Sequence, residues 1–101
     1  MKTTGLTPHE LSLAAGVFRR HPEIRLVRLF GSRAKGTHTP RSDVDLAVWG
    51  DADAFRAEAI AAELDELPLP YRFELKPFEC IKLRSLREHI ERVGIVIYPV
   101  Q

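Results

Sequence analysis

The apolar positions of the chain alternate between helical and strand periods. Thr7-Pro8-His9-Glu10 predicts a helix start, with Thr7 as N-cap, Pro8 at the first helical position and Glu10 closing a capping box. Leu11, Ala14, Ala15 and Phe18 follow at helical spacing, and Pro22 ends the run. "IRLVRLF" (24–30) alternates as a strand, with Val27 and Leu29 on one face and Leu26 and Phe30 on the other. Gly31-Ser32 breaks it, "SRAK" suits a short helical turn, and 36–42 has the composition of a loop. "DVDLAVW" (43–49) is the clearest strand: Val44, Leu46 and Val48 share one face, and Asp43, Asp45, Ala47 and Trp49 the other.

Asp51 or Asp53 can cap the next helix, whose apolar stripe is Phe55, Ala59, Ile60, Leu64 and Leu67 before Pro68 and Pro70 stop it. "YRFEL" (71–75) predicts a third strand, with Tyr71, Phe73 and Leu75 opposite Arg72 and Glu74. A helix over 83–94, closed by Gly94, precedes "IVIY" (95–98), a short apolar tail or edge strand. The strand–helix–strand unit from 43 to 75 predicts a parallel pair, and the charged loop predicts that the first two strands are antiparallel. The expected fold is α+β: a small mixed sheet with helices on one face, and Asp43, Asp45 and Glu74 on the other.

Composition narrows the function classes. At 101 residues the chain suits a single domain, expected over 1–101. Fifteen basic residues against 14 acidic ones leave a formal charge of +1, too even for a generic nucleic-acid binder, so no direct nucleic-acid partner is expected. Cys80 is the single cysteine, which excludes an internal disulfide and suits a reducing cytoplasm. The four histidines show no ligand-like spacing. No stretch approaches the roughly 20 apolar residues that cross a bilayer, and no targeting segment is apparent.

The chemistry concentrates in "GSRAKGTHTPRSDVDL" (31–46). Asp43 and Asp45, two apart on a strand, point the same way, and two such carboxylates repel unless a cation or proton is shared. Hard oxygen donors of this kind suit Mg²⁺, which takes one or two carboxylates together with substrate phosphates. Gly31 lets the backbone approach a ligand closely, Ser32 adds a donor, and Arg33 and Lys35 bring positive charge to the same turn. Alone, Gly-Ser is a turn and D-x-D is an ion-paired strand face. Together, ten residues apart on a strand–turn–strand frame, they describe a metal-bound polyphosphate site.

GSRAKG, the spacing to Asp43 and SDVDLAV resemble the minimal nucleotidyltransferases of the DNA polymerase β-like superfamily. Within it the chain is most similar to the small bacterial antitoxins encoded beside HEPN-domain toxins, a likeness that LFGSRAKG, SDVDL, "ELPLPYRFEL" and "LREHIERVGIVIY" carry over most of the length. The resemblance implies a palm that binds Mg²⁺, as two ions, and ATP, and that transfers AMP to a hydroxyl. In the antitoxin branch that hydroxyl is a tyrosine of the HEPN RNase, held in a hetero-oligomer and silenced by the modification. Gly31, Ser32 and Arg33 would hold the triphosphate, and Asp43, Asp45 and Glu74 would be the catalytic, metal-ligating carboxylates. The family's third carboxylate is usually Asp. Glu74 carries one extra methylene, about 1.5 Å, and a misplacement on that scale costs around 10²-fold in rate. That departure leaves an alternative, an antitoxin acting by binding alone. Transfer to a small molecule such as an aminoglycoside fits less well, because such enzymes add helical structure to hold the drug.

Overall fold

The structure is a computed structural model that describes residues 4–99; the first three and last two positions of the expected domain lie outside the described residues. Helix α1 (Pro8–Arg19) begins as the sequence predicts. The Thr7 hydroxyl accepts from the Glu10 amide at 3.1 Å, and the Glu10 carboxylate accepts from the Thr7 amide at 2.9 Å. Strand β1 (Ile24–Phe30) leads into a single helical turn, α2 (Ser32–Lys35), and a loop returns the chain along β2 (Val44–Gly50). Helix α3 (Ala54–Asp65), capped by Asp53 rather than Asp51, crosses over to β3 (Phe73–Pro77). A 3₁₀ turn (Phe78–Cys80), α4 (Arg84–Val93) and β4 (Ile95–Tyr98) complete the described chain.

The sheet order is β3-β2-β1-β4. Strands β1 and β2 pair antiparallel, β2 and β3 parallel, and β4 pairs antiparallel with β1, so "IVIY" is an edge strand. One face carries Val27, Leu29, Val44, Leu46, Val48, Phe73 and Leu75, covered by Ala14, Val17 and Phe18 of α1 and by Ala57, Ile60 and Leu64 of α3. Strand period and helix period thus agree on one core. α4 adds a layer that one-sided packing does not include. Ile90, with Phe78 and Ile81, covers Phe30 and Ala47 on the opposite face, because Phe30, Ala47 and Trp49 make that end of it apolar.

Two details shift from the sequence pattern. The third strand begins at Phe73, two residues late, where the parallel register with Val44 starts. On α3 the buried stripe is Ala57, Ile60 and Leu64, while Phe55 stands 82% exposed in the first turn.

Candidate active site

The two halves of the charged stretch meet at the end of β1. Asp45 lies between neighbours on both sides, opposite Phe30 on β1 and Glu74 on β3. Gly31 follows Phe30 with φ +78°, and a Cβ there would sit 2.5 Å from Oδ2 of Asp45. Both the left-handed backbone and this close approach demand glycine. The turn is therefore pressed against the carboxylate, an arrangement that the linear spacing suggested without fixing its distance.

Burial is the first cause that raises Asp45 from its ordinary 3.8 to about 6. The charges of Glu74 and Asp43 and a hydrogen bond with Glu74 push the same way, and Lys76 opposes them. Asp45 and Glu74 are thus brought together, with Asp43 more exposed at the mouth of β2. Among the described residues, no three histidine, cysteine or acidic side chains already converge on one metal position. The donor chemistry nevertheless suits a hard divalent cation: carboxylate oxygens crowded together, with Asp45 partly buried beside the charges of Glu74 and Asp43.

Ser32 opens α2, and its carbonyl accepts from the Thr37 amide at 3.0 Å, folding the loop back on the turn. Beside Gly31 lies a cleft of about 420 Å³ whose walls include Lys35, Ser85 and His89. The Gly31 amide donates to Nε2 of His89 at 3.3 Å. Burial, then the charges of Lys35 and Arg92, lower the His89 pKa, which keeps that nitrogen free to accept. His89 was not among the expected site residues. It stands 58 positions from Gly31 on α4, and no local signal marks the contact.

Arg33 takes a different place from the other expected residues. It is 1% exposed and turns away from the cleft. Its guanidinium donates to the Thr4 carbonyl at 2.8 Å and to the Ser42 carbonyl at 3.0 and 3.3 Å, and stacks on Tyr71 at 4.7 Å. Tyr71 in turn donates to the Glu10 carboxylate. The fork expected on phosphate is occupied by backbone carbonyls, and it ties the Gly-Ser turn to the residue preceding Asp43.

Residues 14–100 match the family model described as polymerase beta, nucleotidyltransferase. The chain belongs to that family. Among solved structures, a toxin–antitoxin complex with AMP-PNP is similar at a TM-score of 0.73 and 22% identity, over 94% of this chain and 76% of that one. The MntA–HepT toxin–antitoxin complex gives 0.70 and 19%, over 94% and 74%. A tri-AMPylated Shewanella oneidensis HEPN toxin in complex with MNT antitoxin gives 0.69 and 20%, over 92% and 72%. At these identities the likeness establishes a common fold. A search of the curated proteins finds no match. Membership in the family bears out the resemblance read from the two motifs, and the four-stranded mixed sheet bears out the α+β fold.

Proposed function

We propose that the chain is a Mg²⁺-dependent cytoplasmic antitoxin that transfers AMP from ATP to a tyrosine hydroxyl of a HEPN RNase partner, and so inactivates it. The observation that carries the reading is the contact of Gly31 with Asp45, itself in register with Glu74: a phosphate-approach turn and a carboxylate pair in one place. Nucleotidyltransferase family membership supports the reaction class, and the partner is suggested by the complexes in which the similar folds occur.

In this reading Gly31 and Ser32 seat the triphosphate at the end of β1. Asp43, Asp45 and Glu74 are the residues that would hold Mg²⁺, as two ions. Bound there, the metal would neutralise phosphate charge and favour ionisation of the attacking hydroxyl. The tyrosine oxygen forms a bond to the α-phosphorus, the bond from that phosphorus to the bridging oxygen breaks, and pyrophosphate leaves. The hydroxyl proton passes to a carboxylate, for which Glu74, more exposed than Asp45, is the accessible candidate. Arg33 acts indirectly in this scheme, by holding Ser42 and so the entry to β2.

Calorimetric titration with ATP, with and without Mg²⁺, tests the site, and mass spectrometry of the HEPN partner after incubation tests the transfer. Mg²⁺-dependent binding that Asp43→Asn/Asp45→Asn loses, together with an AMP adduct on tyrosine, is the expected result. ATP binding indifferent to both metal and variant overturns it.

A further inference from the structure

A groove of about 770 Å³ runs between the first turn of α3 and the segment from the end of β3 into α4. Leu75, Ile81 and Leu86 line it, and Phe55 and Leu83 stand on its rim, 82% and 64% exposed. Large apolar side chains gathered at one exposed place and bordered by charge mark an interaction surface. The border here is predominantly basic, with Lys76 and Lys82 against Glu58.

The β3 edge beside the groove is a poor template for an added strand. The Phe73 amide is held by the Asp65 carboxylate at 3.2 Å, and Pro77 has no N–H to offer, so the β3 edge is blunted at both ends. With that edge blunted, the apolar lining favours an occupant that engages through side chains, as an amphipathic helix does in an apolar groove. The groove is also continuous with the candidate site. Leu83 and Leu86 line both it and the cleft beside Gly31 and His89. Lys76 follows Glu74 by two positions on β3 and therefore shares its face.

We propose that this groove docks the acceptor protein. An amphipathic helix of the partner places its apolar side chains between Phe55 and Leu83 and its acidic flank at Lys76 and Lys82, which brings its hydroxyl to Asp45 and Glu74. The inference rests on the reading of the chain as a transferase that modifies a protein.

Cys80, the single cysteine, is exposed and lines the groove, so its reaction with a thiol reagent reports occupancy. The probe is the purified HEPN-domain partner protein, added to the full chain with Mg²⁺ and ATP while thiol reactivity and AMP incorporation are followed. The partner is expected to slow Cys80 modification. Phe55→Glu and Lys82→Glu should each weaken partner binding by roughly tenfold or more, the range of an interface hot spot. AMP transfer at limiting partner should slow in proportion, with Mg²⁺–ATP affinity unchanged; both side chains are exposed, so the fold does not depend on them. Undiminished binding and transfer in both variants, with Cys80 still reactive, overturn the groove and leave the transferase reading standing. Cys80 protection that Phe55→Glu abolishes, with no AMP moved, upholds the groove and overturns the transferase reading. Absence of partner binding overturns the groove, as does a Phe55-dependent self-association in sedimentation, which would make it a contact between copies.

Discussion

Asp45→Asn should make the metal-free protein more stable at neutral pH, although it removes a group proposed to be essential. Folding raises this carboxyl from 3.8 to about 6, so keeping it ionised at pH 7.5 costs the folded state up to about 3 kcal/mol at ~1.36 kcal/mol per pKa unit. Water reaches part of the side chain, and screening reduces the expected effect to about 1–2 kcal/mol. The sign follows from linkage: the folded state holds the proton more tightly than the unfolded one. The burden is therefore full above pH 6, fades as pH falls, and is gone below about 4. Asparagine is nearly isosteric, keeps the contact with Gly31, and donates to Glu74 instead of repelling it. Urea denaturation of both proteins, without metal, at pH 7.5, 6 and 4 measures the difference. His89, whose lowered pKa makes the fold lose stability as pH falls below about 6.5, acts on both proteins and cancels in the comparison. A variant less stable than the parent at pH 7.5, or a gain equally large at pH 4, refutes the electrostatic reasoning. Saturating Mg²⁺ should then reverse the order, because a ligand at a hundredfold its Kd adds about 2.7 kcal/mol to the parent alone.

Gly31→Ala should abolish Mg²⁺–ATP binding and cost about 1–2 kcal/mol of stability, from left-handed backbone and the collision with Asp45; near-normal affinity in calorimetry counts against the turn as the phosphate site. Arg33→Met should destabilise the fold by about 3 kcal/mol, since it orphans the carbonyls of Thr4 and Ser42, and ATP affinity should fall only as far as the fold loosens. A selective loss of affinity in a fully stable Arg33→Met protein would return that side chain to the phosphate. Glu74→Asp separates enzyme from binder: a gain in AMP transfer approaching the ~10²-fold scale of a carboxylate misplacement indicates an impaired catalyst, and no transfer by either form, with the partner still neutralised, indicates a binding antitoxin.

The periods of Leu11–Phe18, Ile24–Phe30 and Val44–Trp49 and the capping box at Thr7 act through neighbours a few positions away, so the sequence alone determined these elements; for α3 it offered both Asp51 and Asp53 as caps, and the structure uses Asp53. Strand period likewise placed Asp45 and Glu74 on one face, and the Gly-Ser spacing to the aspartates pointed to the family. Whether α4 covers that face, which helical positions of α3 are buried, and where Arg33 points depend on elements distant in the chain, and only the tertiary structure decided them. Phe55 stands two residues before Ala57 on α3, roughly 200° around the helix at 3.6 residues per turn, and so faces away from the core that Ala57, Ile60 and Leu64 enter. Arg33 stands among the residues of a phosphate turn, yet Tyr71 and the carbonyls of Thr4 and Ser42 close around its guanidinium. His89 reaches Gly31 only because α4 folds back across β1. Local periodicity fixes the direction of a side chain within its own element; what meets it there is set by packing between elements, which no spacing in the chain encodes.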